Sequence, residues 1–570
     1  MVGVFISLFA LFILSIVIIA AISSTKPTVQ IQKNSILKIE LSGSIVEQAT
    51  ENPINFSIPG LPLDIDVKEQ GLDHLLKAID LASKNPKIEG IYLNVGIMEA
   101  GWTTVDEIRN ALKQFKKTGK FIYAYGGMIG QKEYFISSVS DSIFINPEGM
   151  IQLSGLTATP VFYKNALDKM GVKAEIFRVG TYKSAVEPYI NTKMSEAARN
   201  QTTTYLNGIW SYLSKEISVS RKIKPEQINR LADENTLFMS TLDLKKEKLA
   251  DRIVYESEAN RSIEKRLKNK PQFVTIDAVL NDPSQPRTFE KENIAVLYAA
   301  GEIYDSGNDG VVEKKMLKVI EEIQQDSTIK AVVFRVNSPG GSAYASEQIW
   351  KSIHDLNKQK PVIVSMGDYA ASGGYYISSG ASKIIASPTT ITGSIGVFGM
   401  YFNIDELTNK IGVNIDVVKT NANGDLGNMT RPMTQMERAK IQQHVNRTYD
   451  LFIKRCADGR NLGVQEVKCI AEGRVWTGTQ AKELGLADAL GGIDFAIQEA
   501  SKMSKTPKYN LVYYPKKKDF LAQLVEDLSE KTQYKVAKML LGEKYEPLIH
   551  LATSKIQTGT LAKSEIETIN

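Results

Sequence analysis

The feature that most constrains the fold of this chain is an internal repeat. At a constant offset of 241 residues, segments of the first half align with segments of the second: IEGIYLNV (88–95) with IKAVVFRV (329–336), YFISSVSDSIFINPEGMIQLSG (134–155) with YYISSGASKIIASPTTITGSIG (375–396), and MGVKAEIFRV (170–179) with IGVNIDVVKT (411–420). The register holds without a gap from residue 88 to Gln201, which falls on Gln442. Chance similarity does not keep one register over such a distance, so the sequence predicts two copies of one fold.

Each copy alternates short β-branched runs with amphipathic stretches. In the second copy, IKAVVFRV is followed by SEQIWKSIHDLNKQ, then by the apolar run PVIVSM and a glycine-rich turn into YYISSG. This order predicts strand, helix, strand, helix. Such an alternation is typical of a layered α/β fold.

The repeat also divides the 570-residue chain into domains. We expect an N-terminal repeat over 35–265, a linker over 266–292, a C-terminal repeat over 293–505, and a helical appendage without a first-half counterpart over 506–570. ILKIELSGSI (36–45) matches IAVLYAAGEI (294–303) only at the larger offset of 258, so the first copy carries an insertion. We expect that insertion to form a surface loop around residues 50–66.

Charge and cysteine content argue against several classes of function. The chain has 69 Lys and Arg against 64 Asp and Glu, a net charge of +5, and its only dense basic block is 516–518, so no nucleic-acid partner is expected. Its four histidines and two cysteines show no metal-ligand spacing, and neither a metal nor another cofactor is predicted. Cys456 and Cys469 either pair in an oxidising compartment or remain two free buried thiols.

Residues 2–22 form an uncharged apolar run of 21 residues, the length that a helix needs to span a bilayer. A cleaved signal peptide has a charged leader and a shorter apolar core, so we interpret residues 1–24 as a transmembrane anchor. Lys26, Lys33 and Lys38 follow the run. On these three residues alone, the positive-inside rule would put the body of the protein in the cytoplasm.

Chemistry is expected where the two copies differ, and the first difference follows a buried strand. The second copy has NSPGGS at 337–342 where the first has GIMEAG at 96–101. A Pro-Gly-Gly turn in this position can present backbone N–H groups to a developing oxyanion, which side chains would obstruct. A plain tight turn is the alternative interpretation.

The second difference is Ser372, which lies in GDYAASGGYY (367–376) at a predicted helix start. An exposed hydroxyl, free backbone amides and the positive end of a helix dipole are what a serine nucleophile needs. The first copy has Gln131 in this position and lacks the Ser-Gly-Gly. The alternative for Ser372 is a simple helix N-cap.

The third difference is Lys183, in GTYKSAVEP (180–188), which aligns with Gly424 of the second copy. A serine needs a base to attack at neutral pH, and the histidines offer no recognisable Ser/His/Asp arrangement. A lysine can serve as that base when burial lowers its pKa from about 10.4 toward neutrality. A solvated surface lysine is the alternative.

The motifs NSPGGS, GDYAASGGYYISS, SPTTITGSIGV and GTYKSAVEPY together resemble the signal peptide peptidase A family, also called protease IV, in its long, duplicated form. The likeness runs from about residue 35 to residue 505. It implies a membrane-anchored serine endopeptidase that degrades signal peptides after their release, with no cofactor. Ser372 is similar to the family's nucleophile, Lys183 to its general base, and Ser394 to a serine that hydrogen-bonds the lysine. Leu153 is the first-copy counterpart of Ser394.

The resemblance has further implications for fold, assembly and location. It implies a tandem Clp protease/crotonase-like fold, a ring-shaped homotetramer acting on peptide substrates, and an inner-membrane anchor with the catalytic body in the periplasm. That location conflicts with the flanking lysines, and we favour the location that the resemblance implies. Candidate oxyanion donors are the backbone N–H groups of Gly340, Gly341 and Gly373.

Two other functions are compatible with such a fold. One is a crotonase-like acyl-thioester enzyme, which also uses paired backbone N–H groups for an oxyanion. The other is a catalytically inactive membrane scaffold, although Ser372, Lys183 and Ser394 are all present. No GxxxxGK[ST] motif occurs, so ATP-driven action by this chain itself is not predicted.

Overall fold

A computed structural model describes residues 30–48, 69–284, 290–307, 309–516 and 559–563. The strands of the first half are β1 (Ser35–Val46), β2 (Glu69–Gly71), β3 (Ile88–Glu99), β4 (Phe121–Ile129), β5 (Ser142–Ile151), β6 (Lys173–Val179), β7 (Arg252–Ile253) and β8 (Gln272–Val274). Its helices are α1 (Leu72–Lys84), α2 (Trp102–Lys116), α3 (Gln131–Ser137), α4 (Lys164–Met170), α5 (Glu187–Ile190), α6 (Glu196–Arg221), α7 (Pro225–Glu234), α8 (Thr241–Lys246), α9 (Glu256–Leu267) and α10 (Ile276–Leu280).

The second half repeats the pattern. Its strands are β9 (Asn293–Ala300), β10 (Ile303–Tyr304), β11 (Val311–Val312), β12 (Ile329–Ser338), β13 (Gly340–Ser342), β14 (Val362–Ala371), β15 (Lys383–Ala386), β16 (Ile391–Gly393), β17 (Val397–Asn403), β18 (Val475–Thr477), β19 (Ala489–Leu490), β20 (Asn510–Tyr514) and β21 (Gly559–Lys563). Its helices are α11 (Glu313–Gln325), α12 (Ala343–Asn357), α13 (Gly373–Ser378), α14 (Asp405–Lys410), α15 (Gln435–Arg460), α16 (Val464–Ile470), α17 (Gly478–Glu483) and α18 (Ile493–Ser504).

Each half builds one largely parallel sheet, as the repeat predicts. The first sheet has the order β2-β1-β3-β4-β5-β7, with β8 also paired to β1. In the second sheet, β9, β12, β14, β15 and β19 pair in the corresponding order, and β20 adds to β9 as β8 adds to β1. The predicted strand, helix, strand, helix order of the second copy is confirmed by β12, α12, β14 and α13.

A third sheet, with the order β11-β10-β13-β21-β17-β6, combines strands of both halves. Here β6 of the first half runs antiparallel to β17 of the second, from Val397 opposite Val179 to Asn403 opposite Lys173. This pairing brings the chain that follows Val179 against the second half.

The repeat is not symmetric in this third sheet. Residues 414–420 are the second-half counterpart of β6, yet they form no strand and are exposed. The first-half counterpart of β17, residues 156–162, also forms no strand. One strand pair therefore forms within the chain, and the segments for the equivalent second pair lie at the surface.

Two predicted boundaries need correction. The tail over 506–570 is not a purely helical appendage, because 510–514 and 559–563 are strands that complete sheets. The predicted linker over 266–292 contains β8 and α10, because Gln272–Val274 pairs with the first strand of its own half.

Three further predictions concern the anchor, the insertion in the first copy and the two cysteines. The anchor at residues 2–22 and the insertion around 50–66 lie outside the described residues. Among the helices that the structure does describe, none is long and apolar enough to cross a bilayer. Cys456 and Cys469 are both free; Cys456 is buried, and Cys469 is exposed rather than buried.

Candidate active site

Ser372 lies at the junction of β14 and α13, in a backbone conformation that L-residues rarely adopt. Its φ is 55° and its ψ is −114°. Such angles cost about 1–3 kcal/mol and persist only where the surroundings impose them. Here the Ser372 amide donates to the Gly393 carbonyl at 2.8 Å, and a Cβ on Gly374 would lie 2.4 Å from the Ser338 carbonyl. The glycines thus let α13 pack closely against the end of β12.

The hydroxyl of Ser372 does not cap this helix. Although Ser372 occupies the N-cap position, its side chain accepts no hydrogen bond from the first turn. The N-cap alternative is therefore wrong for this serine. Its Oγ instead lies 2.7 Å from the Lys183 Nζ, and both side chains are buried.

Lys183 reaches Ser372 from the other half of the same chain. It follows β6, which pairs with β17, and precedes a 3₁₀ turn, Ser184–Val186. The Lys183 Nζ also lies 3.0 Å from the Ser394 Oγ and 3.1 Å from the Ser394 carbonyl oxygen. The structure thus brings Ser372, Lys183 and Ser394 together, and one chain supplies all three.

Burial sets the charge state of this lysine. The side chain of Lys183 is only 1% exposed, so the surface-lysine alternative is wrong. Removal from water disfavours the ammonium form, and it lowers the pKa of Lys183 well below its usual value. A neutral amine carries the lone pair that a base needs.

The hydrogen bonds of Ser394 orient that amine. The Ser394 hydroxyl donates to the Gly473 carbonyl at 3.3 Å, so its oxygen is free to accept from Lys183. A neutral amine then directs its two N–H groups to the Ser394 Oγ and carbonyl oxygen. With both N–H groups used in this way, the lone pair of a neutral amine is left for the Ser372 Oγ at 2.7 Å.

The three candidate oxyanion glycines differ in availability. The Gly340 amide donates to the Ser338 Oγ at 3.2 Å, which occupies it. Gly341 lies against β10, where an added Cβ would meet the Ile303 carbonyl at 2.1 Å, so no larger residue fits. Gly373 is the first residue of α13, and first-turn amides have no partner within their helix. Gly340 is therefore the weakest of the three candidates, because its amide already has a partner.

Residues that hold the Lys183 loop were missed by the sequence comparison. The Gln201 side-chain amide donates to the Tyr182 carbonyl at 3.0 Å and to the Ser184 Oγ at 2.9 Å. Gly473, with a φ of 74°, packs its backbone against Lys183. Gln201 aligns with Gln442 in the other copy, so a search for differences between copies passes over it.

The equivalent positions of the first half form a closed site. Gln131, the counterpart of Ser372, accepts from the Ser154 amide at 2.9 Å and donates to the Gly155 carbonyl at 2.9 Å. The Glu133 carboxylate accepts from the amide of Met98, at 2.8 Å, within the segment that aligns with NSPGGS. Leu153, the counterpart of Ser394, is fully buried. This half supplies a lysine and no nucleophile.

The site contains no arrangement that suggests a metal. Among the described residues, no group of three or more His, Cys, Asp or Glu side chains is placed to hold a metal ion.

Comparison with known proteins agrees with the repeat. The profile of Peptidase family S49 matches the chain twice, at residues 114–270 and 354–506. Protease 4 of Salmonella typhi is 32% identical over 92% of this chain and 88% of its own length. Protease 4 of Haemophilus influenzae is 34% identical over 75% of this chain and 72% of its own length. The chloroplastic serine protease SPPA of Arabidopsis thaliana is 30% identical over 84% of this chain and 71% of its own length.

These relatives are all named as proteases, and none supports the acyl-thioester or inactive-scaffold alternative. The two profile matches fall on the two copies of the repeat, one in each half of the chain. The chain therefore belongs to peptidase family S49 and is a serine endopeptidase.

Proposed function

We propose that this serine endopeptidase works through a Ser372/Lys183 dyad, is anchored in a membrane, and degrades signal peptides after their release. The observation that carries the dyad is the 2.7 Å separation of the Lys183 Nζ and the Ser372 Oγ in a buried setting. Burial lowers the pKa of Lys183 and so favours the neutral amine, and the contact with Ser394 orients it.

Catalysis begins with proton transfer from Ser372 to Lys183. The Ser372 Oγ attacks the scissile carbonyl carbon, and Lys183 takes the hydroxyl proton. The carbonyl oxygen becomes an oxyanion, which the N–H groups of Gly341 and Gly373 stabilise. Lys183 then gives its proton to the leaving amine, and an acyl-enzyme remains on Ser372.

Hydrolysis of the acyl-enzyme uses the same groups. Neutral Lys183 removes a proton from a water molecule, which attacks the ester carbonyl. Collapse of the second oxyanion breaks the ester C–O bond and releases the peptide acid, and Lys183 returns its proton to the Ser372 Oγ. Because the lysine is neutral at both steps in which it acts as a base, activity depends on its lowered pKa.

Membrane anchoring and location rest on residues 2–22, whose length suits a single span. With this anchor, the catalytic body faces the periplasm and the span crosses the inner membrane. Signal peptides released from preproteins would remain in the same membrane, so an anchored enzyme would meet them at high local concentration. The apolar segments of signal peptides can bind in an extended conformation alongside the strands that border the site.

The chain assembles with other copies of itself, as a homotetramer. The support is a strand pair that the repeat would lead one to expect but that does not form within the chain. Strand β6 pairs with β17, whereas their repeat counterparts, 414–420 and 156–162, have no strand partners within the described residues. If 414–420 of one copy pairs with 156–162 of the next, the same contact recurs head to tail. A head-to-tail contact closes into a ring when its rotation allows.

The test is cleavage of a fluorogenic peptide and of a detergent-solubilised signal peptide by the purified full-length chain. Ser372→Ala is expected to lower kcat by about 10³-fold or more. The matched control is Ser382→Ala, at an exposed serine ten residues away, which is expected to keep the wild-type rate. Full activity in Ser372→Ala would rule out the dyad, and failure to cleave signal peptides would rule out that substrate class.

A further inference from the structure

The chain enters the folded body at the amino-terminal edge of the first sheet. Strand β1 begins at Ser35, and β8 runs parallel to it with Gln272 opposite Ser35. The Gln272 side chain accepts from the Gln32 amide at 3.2 Å and donates to the Gln30 carbonyl at 3.5 Å. The chain that follows the apolar run 2–22 is therefore held beside the start of β8.

A helix leads into the same edge of the sheet. Helix α9 comes shortly before β8, and its apolar side, with Ala259 and Ile263, packs against the sheet. Near its carboxyl end, the Arg266 guanidinium lies 4.5 Å from the centroid of the Phe121 ring. Phe121 is the first residue of β4, and β1, β3 and β4 are parallel, so their first residues share one edge. The carboxyl end of α9 thus lies at the edge where the chain enters.

The outward side of this segment is cationic. Residues 261–270 contain five basic residues against one carboxylate, Glu264, and all six side chains are exposed. The basic residues are Arg261, Lys265, Arg266, Lys268 and Lys270. Four of them, together with Glu264 and Asn269, border an open groove at the surface. An excess of positive charge around such a groove favours an anionic partner.

Two lysines extend this charge along the edge of the sheet. Lys33 shortly precedes β1 and Lys87 directly precedes β3, and both are exposed. The Ser35 amide donates to the Lys87 carbonyl at 3.0 Å, which places Lys87 beside the point of entry. Ion pairing among the described residues takes up little of the charge, since the nearest pair joins Arg261 and Glu258 at 3.9 Å. The cations are therefore available to an external anion.

A bilayer is the anionic surface that these cations would meet first. The apolar run 2–22 ends eight residues before Gln30, so the connection is at most about 29 Å long when fully extended. An anchored body thus keeps its entry edge near the lipid headgroups. Anionic headgroups favour the approach of each Lys or Arg by about fivefold, and the attraction fades within a Debye length of about 8–10 Å. Direct contact is therefore favoured over mere proximity.

We infer that this surface, the entry face (Lys33, Lys87 and 261–270), binds the anionic phospholipid headgroups of the membrane that holds the anchor. The inference rests on the proposed membrane anchoring and adds a second contact to it. A single span leaves the body free to tilt, whereas a second contact fixes one edge of the first sheet against the headgroups. The contact requires anionic lipid in the leaflet that the body faces.

The experiment compares the full-length chain in vesicles of phosphatidylcholine alone and of phosphatidylcholine with phosphatidylglycerol. Mass spectrometry measures how fast individual lysines react with a water-soluble acylating reagent. Lys265, Lys268 and Lys270 are expected to react at least about fivefold more slowly when phosphatidylglycerol is present. Salt at about 1 M shortens the Debye length to about 3 Å and is expected to remove this protection. Lys454 and Lys482, exposed on α15 and α17 of the second half, are internal controls whose rates stay equal.

A charge reversal tests whether the cations themselves make the contact. In Lys265→Glu/Lys268→Glu, Lys270 is expected to react at the same rate in both kinds of vesicle, because the surface has lost its excess positive charge. The matched control, Lys454→Glu/Lys482→Glu, is expected to keep the protection of Lys270. All four substituted side chains are exposed, so both variants are expected to unfold at the wild-type urea midpoint.

The outcomes separate this inference from the proposed anchor. Protection that depends on phosphatidylglycerol and is lost in Lys265→Glu/Lys268→Glu supports lipid binding by the entry face. Equal rates in both kinds of vesicle overturn it, and so does equally strong protection in detergent, which would mean that another copy of the chain covers the surface. A chain that does not float with phosphatidylcholine vesicles contradicts the anchor. If that chain still floats with phosphatidylglycerol vesicles and is protected there, the entry face binds lipid without an anchor.

Discussion

At the residue scale, the chemistry of Lys183 depends on the small residues around its stem. A Cβ on Gly473 would lie 2.7 Å from the Lys183 Cβ, and a Cβ on Gly396 would lie 3.2 Å from its Cδ. Larger residues at either position would push the amine away from Ser372. Burial in this close packing lowers the pKa of Lys183 and so favours the neutral amine, and the two contacts with Ser394 orient it.

The lowered pKa of Lys183 predicts the pH dependence of activity. Below that pKa the amine is protonated and cannot take the Ser372 proton, so kcat/KM rises as pH increases through it and then levels off. The rise is expected well below pH 10.5, since burial lowers the pKa of Lys183. A pH profile of fluorogenic-peptide cleavage measures this.

Two substitutions test whether Lys183 is responsible for that profile. Lys183→Ala is expected to lose about 10²–10⁴-fold in rate, the usual contribution of a general base. Lys183→Arg introduces a side chain of similar length that remains protonated, and it is expected to be equally inactive. A Lys183→Arg enzyme with the wild-type profile would refute the lysine base.

At the element scale, corresponding elements of the two halves have different partners. Helix α2 of the first half begins after Gly101, which offers no side-chain cap. Asp368, on β14 of the second half, supplies the cap instead: its Oδ1 accepts from the Thr103 amide at 2.7 Å and from the Thr104 amide at 3.1 Å. Gly101 leaves room for that carboxylate, since a Cβ there would lie 2.0 Å from the Asp368 Cγ.

This cap predicts a measurable loss of stability. Asp368→Ala removes the acceptor and a negative charge from the positive end of α2, and it is expected to cost about 1–2 kcal/mol of unfolding free energy. The control, Asp458→Ala at an exposed position, is expected to change it by no more than about 0.5 kcal/mol. Urea unfolding of both variants measures the difference, and equal midpoints would contradict the capping role.

At the scale of the whole molecule, the active site depends on how the two halves dock. Arg335 of β12 is fully buried and pairs with Glu47 at 2.9 Å and with Glu107 at 2.6 Å, both in the first half. Buried ion pairs add little net stability over apolar packing but penalise a misplaced partner strongly. The network therefore favours one arrangement of the halves, the arrangement in which Lys183 meets Ser372.

Assembly is tested at the exposed counterpart of β6. Ile415 and Val417 alternate along it and are 47% and 41% exposed. If the chain forms the proposed homotetramer, Ile415→Lys/Val417→Lys is expected to convert it to a monomer, because two charges would have to be buried between strands. Light scattering after gel filtration in detergent measures the mass.

The control for assembly is Phe238→Lys. This side chain is 83% exposed, and it lies between α7 and α8 of the first half, far from 414–420 in the sequence. It is expected to keep the oligomer. The dissociated variant is expected to cleave peptides still, because one chain supplies Ser372 and Lys183. A double variant that remains tetrameric would exclude pairing through 414–420.

The repeat, the α/β alternation and the candidate residues Ser372 and Lys183 could be predicted from the amino-acid sequence, because local periodicity and the comparison of two copies in one register require no knowledge of distant contacts. Ser394 was singled out by the resemblance to the family. The prediction of a helical tail was wrong, because periodicity alone does not distinguish a short apolar run such as 510–514 from a buried helix segment.

Only the tertiary structure decided which distant groups meet. Ser372 and Lys183 are 189 residues apart, and the antiparallel pairing of β6 with β17 brings them together. The same holds for β21, which becomes a strand only between two others. A strand edge or a buried amine is stable only with its partners in place. The free energy of that long-range packing cannot be inferred from a local sequence pattern.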